Sequence, residues 1–272
     1  MKRASSAIIV LTLLAAALAL WLHAPNRVKP ATLVDRTVAA HPNALWHIVH
    51  DLCVPDMEAR GRPAPCVIVD LNHRYVVLKD IEGATQFLLL PTDQVPGIES
   101  PALLAPSAPN YWQAAWAART LFEQKVGHPV PREDIALAVN SQYGRTQNQL
   151  HIHIDCVGAK VHTALAQHED DITTQWSSLA LGSYGRTYRV RWIDGPDLNA
   201  NPFKILFETD PVAHNDMARE TLVVVGAQRR DGAAGFVLIS DRAMPDTDDD
   251  PGAGEELMNH KCTVLAAPAP SS

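Results

Sequence analysis

Seven consecutive residues, 149–155, alternate polar and apolar side chains without a break. Successive residues of a β-strand point to opposite faces of the sheet, so this pattern predicts a strand, which we place at residues 150–157. Its apolar face would carry Leu150, Ile152 and Ile154, and its polar face would carry Gln149, His151, His153 and Asp155. A strand built only for stability rarely exposes two imidazoles between an amide and a carboxylate. We therefore expect the polar face to line a functional cleft.

The rest of the chain predicts an α+β fold, an antiparallel sheet with flanking helices. Apolar spacing predicts helices at 43–53, 110–127 and 160–169. Further strands are expected at 66–70, 75–80, 86–90, 135–140, 188–193, 222–226 and 236–240, with a hairpin between the second and third of these. Residues 245–255 are acidic and contain Pro and Gly, so we expect a surface loop there.

The N-terminus is typical of a targeting segment, because Lys2 and Arg3 precede an uncharged apolar stretch over 4–22. Ala17-Leu18-Ala19 could be a signal-peptide cleavage site, but about 19 apolar residues can just cross a bilayer, so we favour an uncleaved anchor. The predicted organisation is an anchor at 1–24, a linker at 25–42, a catalytic domain at 43–265 and a tail at 266–272. The basic residues should stay cytoplasmic, which places the domain outside.

Four cysteines, an even number, indicate two disulfides in an exported protein. Three pairings are open. Cys53 and Cys66 flank a short Pro-rich loop and form the favoured local pair, which leaves Cys156 with Cys262. Reduced, buried cysteines are the alternative.

The net charge of −7 argues against sequence-independent nucleic-acid binding, which depends on Lys and Arg. An anionic substrate would need local positive groups. No phosphate-binding P-loop and no dinucleotide fingerprint occur, and we expect no cofactor and no obligate protein partner.

The residues before the histidines suit a phosphoryl substrate. Arg145 offers a bidentate fork, Thr146 a hydroxyl and Asn148 an amide to phosphate oxygens. Attack by an imidazole on phosphorus needs that charge neutralised, so the set predicts phosphoryl transfer. Two alternatives stay open at this point. The His-x-His pair could bind a metal with Asp155, His162 or His168 as third ligand, or could have no role.

The run Gly-Arg-Thr-Gln-Asn-x-x-His-Ile-His-Ile from 144 to 154 resembles the histidine-triad superfamily. More closely, the chain from the N-terminal anchor to about Cys262 resembles the bacterial CDP-diacylglycerol pyrophosphatase family. Further segments that carry this resemblance lie at 75–80, 89–92, 99–101, 129–131 and 137–141. The N-terminal anchor and the four cysteines fit it too.

The resemblance implies a histidine-triad-like fold and metal-independent hydrolysis of CDP-diacylglycerol to CMP and phosphatidate at the bacterial inner membrane, with a single membrane pass and a periplasmic domain. His151 falls at the nucleophilic histidine and His153 at the last histidine of the triad, which contacts phosphate or assists proton transfer. Gln149 stands where the superfamily has histidine, which implies hydrogen bonding in place of titration.

The same resemblance puts Thr146 at the α-phosphate with Arg145 beside it, and Asn140 and Lys79 near ribose or phosphate. The alternatives are a hydrolase or nucleotidyltransferase acting on another nucleotide conjugate, and a non-catalytic metal-binding envelope protein.

Overall fold

The computed structural model of the protein describes residues 41–181, 186–245, 250 and 252–266. The predicted anchor, most of the predicted linker and the tail from 267 onward lie outside these residues. Across the ranges that are described, no helix combines the length and the apolar character needed to cross a bilayer.

The described strands form one antiparallel sheet in the order β1-β2-β3-β5-β4-β8-β9-β7-β6. The strands are β1 (Ile68–Asp70), β2 (Tyr75–Lys79), β3 (Phe87–Pro91), β4 (Ile135–Val139), β5 (Ile152–Cys156), β6 (Ser177–Leu181), β7 (Arg186–Asp194), β8 (Glu220–Gln228) and β9 (Ala234–Arg242). The prediction of an α+β fold with antiparallel pairing is confirmed. Strand β5 begins at Ile152, two residues later than predicted, so His151 immediately precedes the strand.

Helices cover both faces of the sheet. They are α1 (Ala44–His47), which continues through a π-helical segment (Ile48–Cys53) into α2 (Val54–Arg60), then α3 (Tyr111–Val126), α4 (Ala159–Gln167), α5 (Pro202–Thr209) and α6 (Pro211–Asn215). Helix α3 agrees with the prediction: the Asn110 side chain accepts a hydrogen bond from the Gln113 amide, and Gly127 ends the helix at φ +94°. Helices α5 and α6 were not predicted. Short 3₁₀ helices lie at Pro101–Leu104, Arg132–Asp134, Met217–Arg219, Gly254–Leu257 and Thr263–Ala266.

One face of the sheet carries a continuous apolar core. Leu89, Leu137 and Ile152 project from β3, β4 and β5 into a cluster that includes Trp112 and Phe122 of α3. Burial of this face fixes the register of the central strands, because a one-residue slip would turn every side chain to the other side.

The opposite face carries two separate apolar clusters. Ile48 and Leu88 belong to the cluster under the π-helical segment, whereas Ala138 and Val161 belong to the cluster under α4. Strand β5 lies between them, and His153 pairs across the sheet with Leu88 on one side and Ala138 on the other. The polar face of β5 therefore occupies the gap between two cores.

Both disulfides tie peripheral segments to the sheet. Cys53–Cys66 links the π-helical segment to the chain just before β1, and Cys156–Cys262 links the end of β5 to the C-terminal segment. The favoured pairing is confirmed.

The prediction of a surface loop over 245–255 is wrong for its described end. Gly252 and Gly254 are buried, and the carbonyl of Gly252 accepts a hydrogen bond of 2.9 Å from the amide of Ser141. Gly252 has φ +69°, and a Cβ there would lie 2.2 Å from Oγ of Ser141. Only glycine permits this approach, which brings the Gly254–Leu257 helix against β4.

Candidate active site

A cavity of about 490 Å³ opens in the gap between the two clusters, over the start of β5. Its wall is apolar on the side of the N-terminal helix and polar on the side of the histidines. The lining residues are Ala44, Leu45, Ile48, Leu78, Lys79, Asp80, Ile81, Glu82, Leu88, Asn140, Gly144, Thr146, Gln147, His151, His153 and Glu255. The cavity is large enough for a nucleotide-sized ligand.

His151 lines this cavity with one ring nitrogen already engaged. Its Nδ1 lies 2.7 Å from the backbone carbonyl oxygen of Gln149. Burial lowers the pKa of His151, so the ring is neutral at pH 7. A carbonyl oxygen only accepts, so the proton sits on Nδ1 and Nε2 keeps its lone pair. Nε2 has no hydrogen-bond partner among the described residues.

The ring of His153 packs edge-to-face against His151, with centroids 4.8 Å apart. Burial lowers the pKa of His153 to about 3, so it too is neutral in the free protein. Its Nδ1 lies 2.7 Å from Nε2 of Gln86 and 3.1 Å from Oε1 of Glu255. Its Nε2 is buried and has no partner within the described part of the chain.

Glu255 reaches the histidines from the Gly254–Leu257 helix. Its Oε2 accepts a hydrogen bond of 2.7 Å from Nδ2 of Asn140, and its backbone amide donates to Oδ1 of the same side chain. Burial alone would raise the pKa of Glu255, but the hydrogen bond from Asn140, together with attraction to His153 when that ring is charged, outweighs burial and holds the pKa of Glu255 below its usual value. Glu255 is therefore an ionised carboxylate at the cavity wall.

His260, which lies close to Glu255, makes a contact with a second carboxylate, that of Asp155. Nδ1 of His260 lies 2.9 Å from Oδ2 of Asp155, whose Oδ1 accepts from the Thr85 hydroxyl at 2.8 Å. The bond to Asp155 raises the pKa of His260. Asp155 thus lies on the polar face of β5 as the alternation predicts, but it anchors the C-terminal segment and does not line the cavity.

Gln149 is fully buried and does not line the cavity. Its Nε2 donates to the carbonyls of Pro91 and Asp93 at 3.0 and 2.9 Å, and its Oε1 accepts from the amide of Val95 at 3.3 Å. The side chain therefore holds the loop after β3, and the contribution of Gln149 to His151 comes from its backbone carbonyl.

The predicted phosphate ligands divide into two groups. Thr146, Asn140 and Lys79 line the cavity, whereas Arg145 and Asn148 do not. Both Arg145 Nη atoms donate to Glu99, at 2.7 and 2.8 Å. Nζ of Lys79 donates to the carbonyls of Asp80 and Gly83 at 2.7 and 3.0 Å, and burial lowers the pKa of Lys79. Among the described residues that line the cavity, Lys79 is the single lysine, and no arginine lines it.

Two of the three residues considered as a third metal ligand, His162 and His168, lie elsewhere in the fold. His162 Nε2 lies 3.5 Å from Asp134, and His168 Nδ1 lies 3.0 Å from Asp171. In the described part of the chain, the groups with metal-ligand spacing are Asp155 with Cys156 and Cys262, and Asp241 with Asp250 and Glu256. Neither group includes a histidine.

Sequence reasoning missed several residues at the site: Glu255, Asp80, Gln86, Gln147 and His260. Glu255 lies in a segment whose acidic, glycine-containing composition is typical of a loop, and its contact with His153 spans 102 positions of sequence. Gln147 was the easiest of these to predict from sequence, because it lies inside the 144–154 run that carries the family resemblance. Its Oε1 accepts from the amide of Leu45 at 3.1 Å.

Comparison with known proteins places the chain in one family and finds similar curated proteins. The family model described as CDP-diacylglycerol pyrophosphatase matches residues 40–266. A Yersinia pestis protein named "CDP-diacylglycerol pyrophosphatase" is 42% identical over 236 residues, which cover 86% of this chain and 90% of that protein. A solved structure named Hnt3 matches 39% of this chain and 61% of its own, with 17% identity and a TM-score of 0.24.

Proposed function

The chain belongs to the CDP-diacylglycerol pyrophosphatase family, and from that premise we propose that it hydrolyses the pyrophosphate bond of CDP-diacylglycerol with His151 as the nucleophile. One observation carries the assignment of His151. The Gln149 carbonyl, 2.7 Å from Nδ1, holds the ring proton there and leaves the Nε2 lone pair at the cavity. A neutral imidazole with a fixed tautomer is ready to attack without prior deprotonation.

The reaction divides into two displacements at one phosphorus. Nε2 of His151 attacks the cytidylyl phosphorus, the bond to the bridging oxygen breaks, and phosphatidate leaves with that electron pair. The His151 ring, now bonded to phosphorus at Nε2 and protonated at Nδ1, is cationic, and the Gln149 carbonyl stabilises it. Water then attacks the same phosphorus, the N–P bond breaks, and CMP leaves together with neutral His151.

Charge balance at the cavity supports a histidine-centred reaction. The pyrophosphate brings negative charge to a wall that carries Asp80, Glu82 and Glu255 but one described lysine, Lys79. Cationic character must therefore come from the imidazoles as the reaction proceeds. Thr146 and Asn140 add neutral hydrogen-bonding groups at the same wall.

We also propose that the domain works at a membrane surface, tethered by residues 1–24 on the periplasmic side of the inner membrane. The uncharged stretch over 4–22 and the two disulfides support this, because disulfides persist in oxidising compartments. Each buried methylene of the acyl chains is worth about 0.8 kcal/mol, so a tethered enzyme avoids extracting its substrate. Deleting 1–24 behind a cleavable export signal should release active protein from the membrane fraction; retention there would contradict the tether.

The chemistry is tested by the fate of solvent oxygen. Hydrolysis in ¹⁸O-water should place the label in CMP, since water attacks the phosphorus that His151 held. Label in phosphatidate would overturn the mechanism. His151→Ala should lose on the order of 10⁴-fold in kcat/KM, and an acid-labile cytidylyl adduct should be trapped on wild type alone. His168→Ala, which alters an exposed histidine, is the matched control.

A further inference from the structure

Two neighbours of His153 require different protonation states of its Nδ1 atom. Nε2 of Gln86 lies 2.7 Å from Nδ1, and Oε1 of Glu255 lies 3.1 Å from the same atom. An amide N–H needs a lone pair on Nδ1, whereas a carboxylate needs a proton there. A single protonation state cannot satisfy both.

The orientation of the Gln86 amide is set by Asp80. Nε2 of Gln86 also lies 2.7 Å from Oδ2 of Asp80, and an amide oxygen in that position would face a carboxylate oxygen. Gln86 therefore donates to both neighbours. In the free protein the neutral His153 ring accepts at Nδ1 and keeps its proton on Nε2, which is buried without a partner among the described residues.

Glu255 can accept a hydrogen bond from the His153 ring when Nδ1 is protonated. Asn140 donates one hydrogen bond to the Glu255 carboxylate and accepts another from the Glu255 backbone amide, and the pKa of Glu255 lies below its usual value. It can accept from Nδ1 once that atom carries a proton. An ionised carboxylate at the wall of a cavity for an anionic substrate is otherwise unfavourable, because like charges repel strongly in a low-dielectric site.

We propose that Glu255 is a positioning residue that holds a proton on Nδ1 of His153 in the substrate complex, so that Nε2 serves first as acid and then as base. The inference rests on the proposed function of His151. The negative charge of the pyrophosphate draws a proton from solvent onto His153, and Nδ1 exchanges its bond from Gln86 for one to Glu255.

The protons balance over the cycle. The protonated ring donates its Nε2 proton to the departing oxygen of phosphatidate as His151 bonds to phosphorus. Nε2 then holds a lone pair, while Nδ1 stays protonated against Glu255. Water enters where phosphatidate left, gives one proton to Nε2 as its oxygen bonds to phosphorus, and the N–P bond breaks. His153 returns to the protonated state, and CMP keeps the second proton of the water.

The charges that face His153 come from several elements. Glu255 favours the protonated ring, whereas burial and the neighbouring His151 and His260 disfavour it. Asp80 acts through Gln86, and burial raises its own pKa. Of these, Glu255 is the carboxylate in direct contact with a ring nitrogen of His153. Its removal should have the largest effect.

Glu255→Gln tests the proposal through the pH dependence of kcat in detergent micelles containing CDP-diacylglycerol. Loss of the negative charge lowers the pKa of His153 in the complex, so the alkaline limb of kcat should move to lower pH by about one unit or more. At pH 8 kcat should fall by about tenfold or more, with a smaller change in KM. A profile that superimposes on wild type would overturn the proposal.

Glu256→Gln is the matched control. Glu256 is the next residue on the same 3₁₀ helix, accepts from the Tyr188 hydroxyl at 2.7 Å, and does not line the cavity. It should leave the alkaline limb in place even if the melting temperature falls. An equal shift of the limb would assign the Glu255 effect to loss of structure and would overturn the proposal.

Gln86→Met gives the opposite sign, which a purely structural role would not. Removing the donor to Nδ1 should make protonation of His153 easier in the free enzyme and raise kcat/KM at pH 8 relative to wild type. ¹⁵N-histidine spectra with a methylene-bridged substrate analogue should show Nδ1 of His153 protonated in wild type and less so in Glu255→Gln. If His151→Ala stays active, the proposed function fails; if only the Glu255 and Gln86 effects are missing, this inference alone fails.

Discussion

Nδ1 of His151 lies 2.7 Å from the backbone carbonyl oxygen of Gln149, while the side chain of Gln149 bonds to a different loop. The two roles of this residue are therefore separate. Its main chain fixes the tautomer of the proposed nucleophile, and any residue could supply that carbonyl. Its amide side chain holds residues 91–95, which only a group with both donors and an acceptor can do.

Gln149→Leu should lower stability and leave the titration of the site unchanged. The substitution removes a side-chain hydrogen bond from each of three backbone groups of the 91–95 loop, which should lower the free energy of unfolding by about 2–4 kcal/mol. Urea unfolding measures the loss, and the pH dependence of kcat checks the site. Full stability with abolished turnover would show instead that the Gln149 side chain takes part in the chemistry.

Arg145 and Glu99 should behave as one unit. The bidentate bond joins the loop before β5 to the loop after β3, and the Arg145 side chain is only 7% exposed. We expect Arg145→Ala and Glu99→Ala to cost about 2–4 kcal/mol of unfolding free energy each and the double variant little more, because one partner without the other leaves a buried charge. Arg145→Lys should not restore the pair, since lysine cannot form the fork.

The double-mutant cycle also tests the sequence prediction that Arg145 binds phosphate. A direct phosphate contact would make Arg145→Ala raise KM far more than Glu99→Ala does. Equal KM values for the two single variants would indicate that Arg145 stabilises its loop and does not bind phosphate.

Local patterns sufficed for most of the sheet. The alternation around β5, the capped helix α3 and the local Cys53–Cys66 pair are all set by residues close in sequence, and each prediction is confirmed. Helices α5 and α6 escaped prediction because they are short, with 8 and 5 residues, so periodicity has few positions in which to show.

The site could be predicted only as far as its central strand. His151 and His153 lie in a run whose spacing carries the information. Glu255 and Gln86 reach His153 through tertiary contacts, and no local pattern encodes a contact between positions so distant in sequence. Gln149 was identified from the run, but its side chain does not line the cavity as predicted. The direction of that side chain depends on the 91–95 loop that packs against it.

The bond between His260 and Asp155 should make stability depend on pH in a defined direction. The hydrogen bond raises the pKa of His260 above its unfolded value of 6.5. Its stabilising contribution is therefore complete below that value and is lost as the pH rises through the higher folded pKa. The difference in unfolding free energy between wild type and His260→Gln should be largest near pH 5.5 and decline towards pH 8.5. A difference that grows with pH would contradict the assignment.

The two disulfides should affect catalysis differently. Cys156–Cys262 closes the segment that carries both Glu255 and His260 onto the end of β5, whereas Cys53–Cys66 holds the π-helical segment at the apolar wall. Each bond should contribute about 2–4 kcal/mol to stability. Cys156→Ser/Cys262→Ser should in addition lower kcat by about tenfold or more, because Glu255 loses its fixed distance from His153.

Cys53→Ser/Cys66→Ser should act mainly on KM, because Ile48 belongs to the segment that this bond holds. Reductant sharpens the comparison. Dithiothreitol should lower kcat of the Cys53→Ser/Cys66→Ser enzyme, which keeps the Cys156–Cys262 bond, and should leave kcat of the Cys156→Ser/Cys262→Ser enzyme unchanged. Equal responses, measured below the melting temperature of both variants, would mean that the C-terminal segment stays in place without its bond and that packing alone positions Glu255.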